Sequence, residues 1–560
     1  MRKKWIIKEA DSKIIDDLSN GLGMSKIIAQ VLANRGIKTQ AEARVFLRSG
    51  LQDLRDPFQL KDMQKAVDRI KKAISNKEKI FISSDYDVDG ITSCAVLEQE
   101  LKRLGADVIH YIPHRVKEGY GLSPQAVKLA SSKGVKLLFT LDCGINNHKQ
   151  IKNLGEKGID TIIVDHHEPD GERLPEAFAI INPKRSDCPF GFSQLAAVGL
   201  VYKLVCALEA SNQERYLDLV SLGTVADVMP LIDDNRIIVK RGLESINDSS
   251  NIGVQALIEA SGLKGKEINP GRISFALAPR INASGRVDSA ELALDLFLCD
   301  AAKIAQQMAS DLNSHNRSRQ KIQDAVFNEA LEMVNRMHFG ENHVIVLAKD
   351  DWHIGVLGIV ASKIAEKFFR PTIIISFENG LGKGSGRSIQ GFHLFDTLSG
   401  CKKHLKYFGG HAYAVGLSIE KENLKDFIRD LNEAARERIT SGELQPTLNI
   451  DAQLPLFLLE HDLIEEIKAL EPFGSGNAKP VFCSHNLKVK SAVRILGRDT
   501  IKFWVTDGER TYEAIGFGFR DMAQSLKPSQ GIDLAYSLTL DTWNDVNSLL
   551  LEIKDLKLVG

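Results

Sequence analysis

The sequence predicts an α/β protein built from two α/β domains joined by a long helix and followed by a small C-terminal β-barrel. Three observations carry this. From Lys79 onward, short apolar runs such as Ile80-Phe81-Ile82, Leu137–Leu141 and Thr161–Val164 alternate with amphipathic stretches, the pattern of a parallel sheet with crossover helices. From Ala301 to about Met337 neither glycine nor proline interrupts a helical periodicity. After about Asn477 the texture changes to short alternating segments, Phe503–Thr506 and Tyr512–Phe517 among them, which read as barrel strands.

Taken in order, residues 1–75 read as a helical segment ending in a helix from Met63 to Ser75. Residues 76–300 form the first α/β domain, in which one helix starts after Asp89-Gly90 and another spans Ser123 to Ser132. Helices from Gln194 to Ala210 and Arg215 to Val225 follow the last strand, with Asp227 closing the second. Residues 301–340 are the connecting helix. Residues 341–440 are a second, smaller α/β domain with strands at His343–Ala348 and Pro371–Ser376, a helix at Gly355–Phe368, and glycine-rich segments at Gly382–Gly386 and Gly409–Gly416. Residues 441–560, from about Ser441, are a linker and the barrel.

At 560 residues, three or four domains are expected. With 43% hydrophobic and 26% charged residues the composition is that of an ordinary soluble protein. No apolar run approaches the ~20 residues of a membrane span, and the three-residue apolar stretch after Met1-Arg2-Lys3-Lys4 is too short for a secretory signal. No membrane association is expected. Seven cysteines without a Cys-x-x-Cys pair argue against a disulfide framework and a thiolate zinc site, and fit a reducing cytoplasm. A net charge of −1 gives no global basic field, so any nucleic-acid binding must rest on local patches.

Three apolar runs end in acidic or histidine-bearing segments: Asp85-Tyr86-Asp87-Val88-Asp89-Gly90, Asp142-Cys143-Gly144 and Asp165-His166-His167. Strand C-termini of a parallel sheet converge on one crevice. Carboxylates massed there raise one another's pKa unless a cation neutralises them. A pair of divalent metal ions explains the set, and oxygen with imidazole donors favours manganese, zinc or iron over a magnesium-only site. Such ion pairs hydrolyse phosphoesters. Asp87 and Asp89, two apart, would point the same way on an extended strand end, and Gly90 would let helix N-terminal amides face a phosphate. Taken singly, each aspartate would equally serve as a helix cap.

Together with Asp227 these segments resemble the DHH phosphoesterase superfamily, and along nearly the full chain its single-strand-specific DNA exonucleases. Further matches are His114-Arg115 with Glu118-Gly119-Tyr120-Gly121, the Arg280–Arg286 segment, Trp352–Gly358, Gly384–Ser388, Gly409-Gly410-His411 and Pro472–Asn477. The resemblance implies a DHH catalytic domain, a DHHA1-type domain and an OB-like barrel. It implies that Asp142 bridges two divalent cations, manganese first and magnesium as the alternative. One ion would also take Asp87, the other Asp89, His166 and Asp227. His167, Arg286 and His411 would be the catalytic groups, with His167 beside the scissile phosphate. Related pyrophosphatases have a histidine where this chain has Ser83, which implies a more weakly held first ion. Asp85 and Asp165 are either ligands or groups that orient them.

Arg115, Arg286 and Arg387 are candidate phosphate grips, since a guanidinium fork holds two oxygens and stays charged near pH 7. Asn282 and Ser385 join them, and the Gly384–Arg387 segment would add backbone amides around a terminal 5′-phosphate. His411 faces the same cleft or is a buried structural histidine; His353 invites the same two readings, and Trp352 is core or a stacking surface. Residues 443–560 hold 12 lysines and arginines against 17 aspartates and glutamates, but 479–502 hold six against Asp499 alone. Lys488, Lys490, Arg494, Arg498 and Lys502 are therefore candidate contacts to a single strand, with Phe503 and Trp504 as stacking or core residues.

The expected function is metal-dependent hydrolysis of single-stranded DNA from its 5′ end to 5′-mononucleotides, in DNA repair and recombination, by a cytoplasmic monomer. A single-strand-binding protein and a helicase are the expected protein partners. The alternatives are a phosphodiesterase of the same superfamily acting on short oligoribonucleotides or cyclic dinucleotides, and a non-catalytic replication scaffold.

Overall fold

The computed structural model describes residues 3–115, 117–171, 173–209, 214–287, 289–337, 342–438, 445–541 and 548–559. The expected boundary at Ser441 and the last residues of the 301–340 segment lie outside them. Contacts divide the chain into two units, one of Arg55–Met229 and Gly242–Pro446, the other of Met1–Leu54, Pro230–Arg241 and Thr447–Gly560.

In the larger unit, β1 (Lys79–Ser84), β2 (Asp107–Tyr111), β3 (Leu137–Leu141), β4 (Asp160–Val164) and β5 (Ala179–Ile181) form a parallel sheet in the order β2-β1-β3-β4-β5. Ile80, Phe81, Ile82, Leu137, Leu138 and Phe139 are completely buried. Helices cover both faces of such a sheet, which is why its strands read as unbroken apolar runs. Ser84 lies opposite Leu141, and Leu141 opposite Val164, so β1, β3 and β4 end level with one another. The winding reverses at β1, which puts the binding crevice at the C-terminal ends of β1 and β3.

Helix α1 (Val88–Arg103) follows β1 and packs against α2 (Ala197–Leu208) and α3 (Leu217–Ala226). Helix α4 (Ala278–Val287) continues a π-helical turn at Ile273–Leu277. Helix α5 (Ala302–Asn335) is the long connection, 34 residues and so about 50 Å by the standard rise. Beyond it come β6 (Ile345–Asp350), α6 (Leu357–Phe368), β7 (Thr372–Glu378), β8 (Leu381–Arg387), β9 (Leu405–His411) and β10 (Ala414–Glu420), the strands in the order β9-β10-β8-β7-β6.

The Gly382–Gly386 segment lies within β8, and the Gly409–Gly416 segment spans the β9–β10 hairpin. A Cβ on Gly382, Gly384 or Gly386 would lie within 3 Å of Phe377, Leu417 or Val415 respectively. Alternate glycines of β8 therefore make room for large neighbours on the core face, and Lys383, Ser385 and Arg387 project from the other face.

In the smaller unit, β11 (Phe482–Val489), β12 (Thr500–Thr506), β13 (Thr511–Phe517), β14 (Gly531–Asp541) and β15 (Ser548–Val559) run in the order β11-β14-β15-β13-β12. β12 pairs back onto β11 and closes the barrel. Its core is continuous with Leu18, Ile28, Val31 and Leu32 of the N-terminal helices. The N-terminal segment is not wholly helical: Lys4–Ile7 is a strand, paired in parallel with Thr447–Ile450. Trp5-Ile6-Ile7 is β-prone, but its partner lies too far along the chain to leave a local signal.

Candidate active site

Level strand ends bring the acidic segments together. The amides of Asp85, Asp142 and Asp165 each continue the ladder by one bond, to the carbonyls of Leu141, Val164 and Ile181 at 3.2, 3.0 and 3.1 Å. Asp142 takes a left-handed conformation, φ 58°, a strain typical of functional turns. Three groups of donors result: Asp85, Asp87 and Asp142; Asp89, His166 and Asp227; Asp142, His166 and His167. Within each, the donor atoms lie within 4.8 Å of one another. Asp142 belongs to two groups. His166 Nε2 is 3.2 Å from Asp142, 3.6 Å from Asp227 and 3.8 Å from Asp89.

The donor set fits divalent cations. Asp85 Oδ1, Asp142 Oδ1 and Asp227 Oδ2 are buried without a hydrogen-bond partner. Burial first, then the neighbouring aspartates, pushes Asp142 well up, Asp89 up to about 7 and Asp227 up to about 9. Burial and then His167 push His166 down to about 3, leaving a neutral imidazole able to ligate. At the position of Ser83 the buried hydroxyl has no partner, and it is Asp85 that brings an oxygen into the group with Asp87 and Asp142.

The spacing of Asp87 and Asp89 works differently from the extended reading. Helix α1 starts before Gly90: Asp87 is its N-cap and accepts from the amides of Asp89 and Gly90 at 2.9 and 3.2 Å. These amides are thus taken up by a side chain rather than left for a phosphate. Asp89, one position into the first turn, points elsewhere and caps α2 through the amides of Ala197 and Val198 at 2.7 and 2.8 Å. Both aspartates cap helices and also stand in the donor groups. Gly90 serves close approach, since a Cβ there would lie 2.4 Å from the Asp85 carbonyl oxygen.

Asp165 orients its neighbour. It accepts from His167 Nδ1 at 2.8 Å, from the His167 amide at 3.1 Å and from the Ile145 amide at 3.0 Å. Burial opposes its ionisation, but these bonds outweigh it and hold the carboxyl below its ordinary range. The same contact raises His167 against the effect of burial. With Nδ1 bound to Asp165, Nε2 is the nitrogen left for a substrate.

Beside this crevice a cavity of about 500 Å³ is lined by Tyr86, Arg115, Arg286, Ser385, Arg387 and Lys383, among others. Arg286 donates to the Gly355 carbonyl at 2.7 Å and Arg387 to Ser385 Oγ at 3.2 Å, while Arg115 lies 4.7 Å over the Tyr86 ring. Burial, then the charges of Arg115, Arg319 and Arg387, brings Arg286 down to about 9. Massed guanidiniums of this kind call for an anion. The β8 amides pair with β7 and β10 on both sides, so they cannot cradle a phosphate; Ser385 Oγ and the guanidiniums are what remain.

The DHH family N-terminal domain matches residues 79–224, the DHHA1 domain residues 341–437 and the RecJ OB domain residues 450–555. The chain is 37% identical over 557 residues to the single-stranded-DNA-specific exonuclease RecJ of Bacillus subtilis (strain 168), covering 99% of this chain and 71% of that protein. It is 32% identical to the protein of the same name from Escherichia coli (strain K12), covering 95% of each. The chain belongs to the RecJ family. Its fold matches the crystal structure of RecJ in complex with Mn2+ from Thermus thermophilus with a TM-score of 0.86 at 28% identity, over 99% of this chain and 80% of that one. The corresponding Mg2+ complex matches with a TM-score of 0.80 at 26% identity, over 99% and 78%. The expected architecture, a parallel-sheet DHH domain, a DHHA1 domain and an OB barrel, is that of the RecJ family.

The remaining candidates divide. His411 is exposed at the β9–β10 hairpin rather than buried. Partial burial, then the charges of Arg387 and His167, lower its pKa, so it shares their field. Asn282 is half-buried on α4. Trp352 is core, only 5% exposed, with its indole N–H donating to Glu329 at 2.7 Å. His353 accepts from the Gly355 amide through Nδ1 at 3.1 Å. In the barrel, Phe503 is buried and Trp504 is 40% exposed. Lys488, Lys490 and Arg498 are exposed, but Arg494 and Lys502 both pair with Glu513 at 2.9 Å. The basic stretch is thus partly neutralised.

Two residues were given no role from sequence. Tyr86, between Asp85 and Asp87, lies under Arg115 at the edge of the guanidinium pocket. Tyr120 donates its hydroxyl to the Asp142 carbonyl at 3.0 Å and lies 3.0 Å from His167 Nδ1. Both sit in segments that carried the resemblance, which was the available signal.

Proposed function

We propose that this RecJ-family chain hydrolyses single-stranded DNA from its 5′ end to 5′-mononucleotides, using two divalent cations. The observation that carries the reading is the juxtaposition of donor groups sharing Asp142 with a pocket of guanidiniums, the two meeting at Tyr86. Asp142 would bridge the ions, with Asp87 and Asp85 on one side and Asp89, His166 and Asp227 on the other. Bound divalent cations lower the pKa of a water and neutralise charge at the phosphorus. The chain's own groups do the rest. Arg115, Arg286, Arg387 and Ser385 hold the terminal 5′-phosphate and fix which bond is presented, and Asn282 supports the same end. His167, held by Asp165 and Tyr120, donates a hydrogen bond or a proton from Nε2 to the reacting phosphate. His411 faces the same phosphate from the hairpin.

Lys488, Lys490 and Arg498 give the barrel its own electrostatic grip on a strand. An enzyme that admits only single strands needs a helicase to supply them and meets a single-strand-binding protein on them, acting itself as a monomer. Free cysteines at all seven positions suit the cytoplasm; among the described residues no helix is long and apolar enough to cross a membrane.

The test is degradation of 5′-phosphorylated single-stranded DNA, duplex DNA and RNA of one sequence with Mn2+, products resolved by chromatography. Mononucleotides released in order from the 5′ end of the single strand are expected. Equal cleavage of the duplex, or release from the 3′ end, would refute the reading.

A further inference from the structure

Phe275 is 87% exposed, the most exposed large hydrophobic side chain among the described residues. It lies in the π-helical turn Ile273–Leu277 at the head of α4, with Ile273 and Leu277 buried beside it. Single π-helical turns within α-helices recur at functional sites.

The turn continues into a stripe. Residues 275, 279, 282 and 286 are spaced i, i+4, i+7 and i+11, one face of a helix. Phe275 is exposed and Pro279, Asn282 and Arg286 half-buried, whereas Leu277, Ala278, Ile281, Ala283 and Ser284 are buried. One end of the stripe, Arg286, lines the guanidinium pocket. The other, about 16 Å away by helical rise, lies on the turn that packs against α3, the helix closed by Asp227. Arg280, bonded to Asn313 of α5 at 3.0 Å, and the exposed Arg317 of α5 flank it with positive charge. Half-buried polar groups, flanking guanidiniums and a terminal aromatic face match a phosphodiester strand with unstacked bases.

We propose that Phe275 is a stacking platform for one nucleobase of the single-stranded substrate, a few nucleotides to the 3′ side of the bond cleaved. This rests on the pocket holding the 5′-phosphate. The test measures binding of a 5′-phosphorylated 12-mer with phosphorothioate linkages, in Mn2+, by the full chain, by Phe275→Ala and by Phe275→Trp, with one abasic nucleotide walked from the second position to the eighth. Phe275→Ala should weaken the 12-mer roughly 5- to 150-fold, the range of one base–aromatic stack. Phe275→Trp should bind as the parent does. The loss should vanish when the abasic nucleotide occupies one particular position, and dinucleotide turnover should be unchanged. Equal affinity of Phe275→Ala and parent, a loss that persists at every abasic position, or slower dinucleotide turnover overturns the inference alone. A parent chain that binds no single strand overturns the proposed function together with it.

Discussion

The donor groups around Asp142 and the guanidinium pocket beside Tyr86 are both clusters of like charge, yet they respond to pH in opposite ways. The carboxylates escape their mutual repulsion by holding protons: Asp89 sits at about 7 and Asp227 at about 9, pushed there by burial and then by neighbouring aspartates. The arginines have almost no such escape. Arg286, lowered to about 9 by burial and then by Arg115, is still charged at pH 7. A cation must displace protons to enter the first cluster, whereas an anion enters the second without exchange. The same fold thus presents one site that requires loading and one that is ready at neutral pH.

The largest way to break this comparison is at Asp142. Asp142→Ala removes the donor common to two groups and should lower kcat by about three orders of magnitude or more, with Mn2+ affinity by calorimetry falling alongside. Near-parental turnover would remove the metal assignment. Next come the guanidiniums. Arg286→Ala or Arg387→Ala should raise KM for 5′-phosphorylated strands by roughly 10- to 100-fold, the range of hydrogen bonds to charged groups, and leave 5′-hydroxyl strands little changed. Equal losses on both ends would show that the pocket does not read the phosphate.

The pH dependence sharpens the contrast. Because the free carboxyls are raised, Mn2+ should bind more tightly as pH climbs from about 6 to about 9 and then level off, with protons released on binding. Preference for a 5′-phosphate should stay flat from about pH 7, where the phosphate is mostly a dianion, and weaken only above about 9, as the empty pocket's Arg286 loses its charge. Calorimetry in buffers of different ionisation enthalpy reads the first limb, and competition between phosphorylated and unphosphorylated ends reads the second; a pH-independent metal affinity would contradict it. The smallest effect is in the barrel. Lys488→Ala with Lys490→Ala should weaken long-strand binding about 2- to 5-fold at low salt and flatten its salt dependence. Arg494→Ala with Lys502→Ala should do less, since Glu513 already neutralises both.

Much of the site was legible because its groups stand where apolar runs stop, and a parallel sheet carries its ligands at those stops. Asp85, Asp142 and Asp165 needed only the strand ends to be placed. The glycine-rich segments were not legible in the same way. Glycine ordinarily marks a turn, and nothing near Gly384 in sequence announces that Leu417 will fill the space over it. His411 was open between cleft and core for a related reason: a lone histidine beside two glycines carries no period.

What the sequence determined by itself was the apolar strands that end in the acidic segments, the donor types and the positions of those segments, because these follow from local periodicity and from chemistry carried by single side chains. Only the tertiary structure decided which charges are taken up by one another. Asp165 is bound to His167, Asp87 to the amides of its own helix, Arg494 and Lys502 to Glu513, and Lys4–Ile7 to a strand more than four hundred residues on. Whether a charged group is free to meet a ligand depends on which segments pack against it. That is fixed by contacts between distant parts of the chain, which no local pattern encodes.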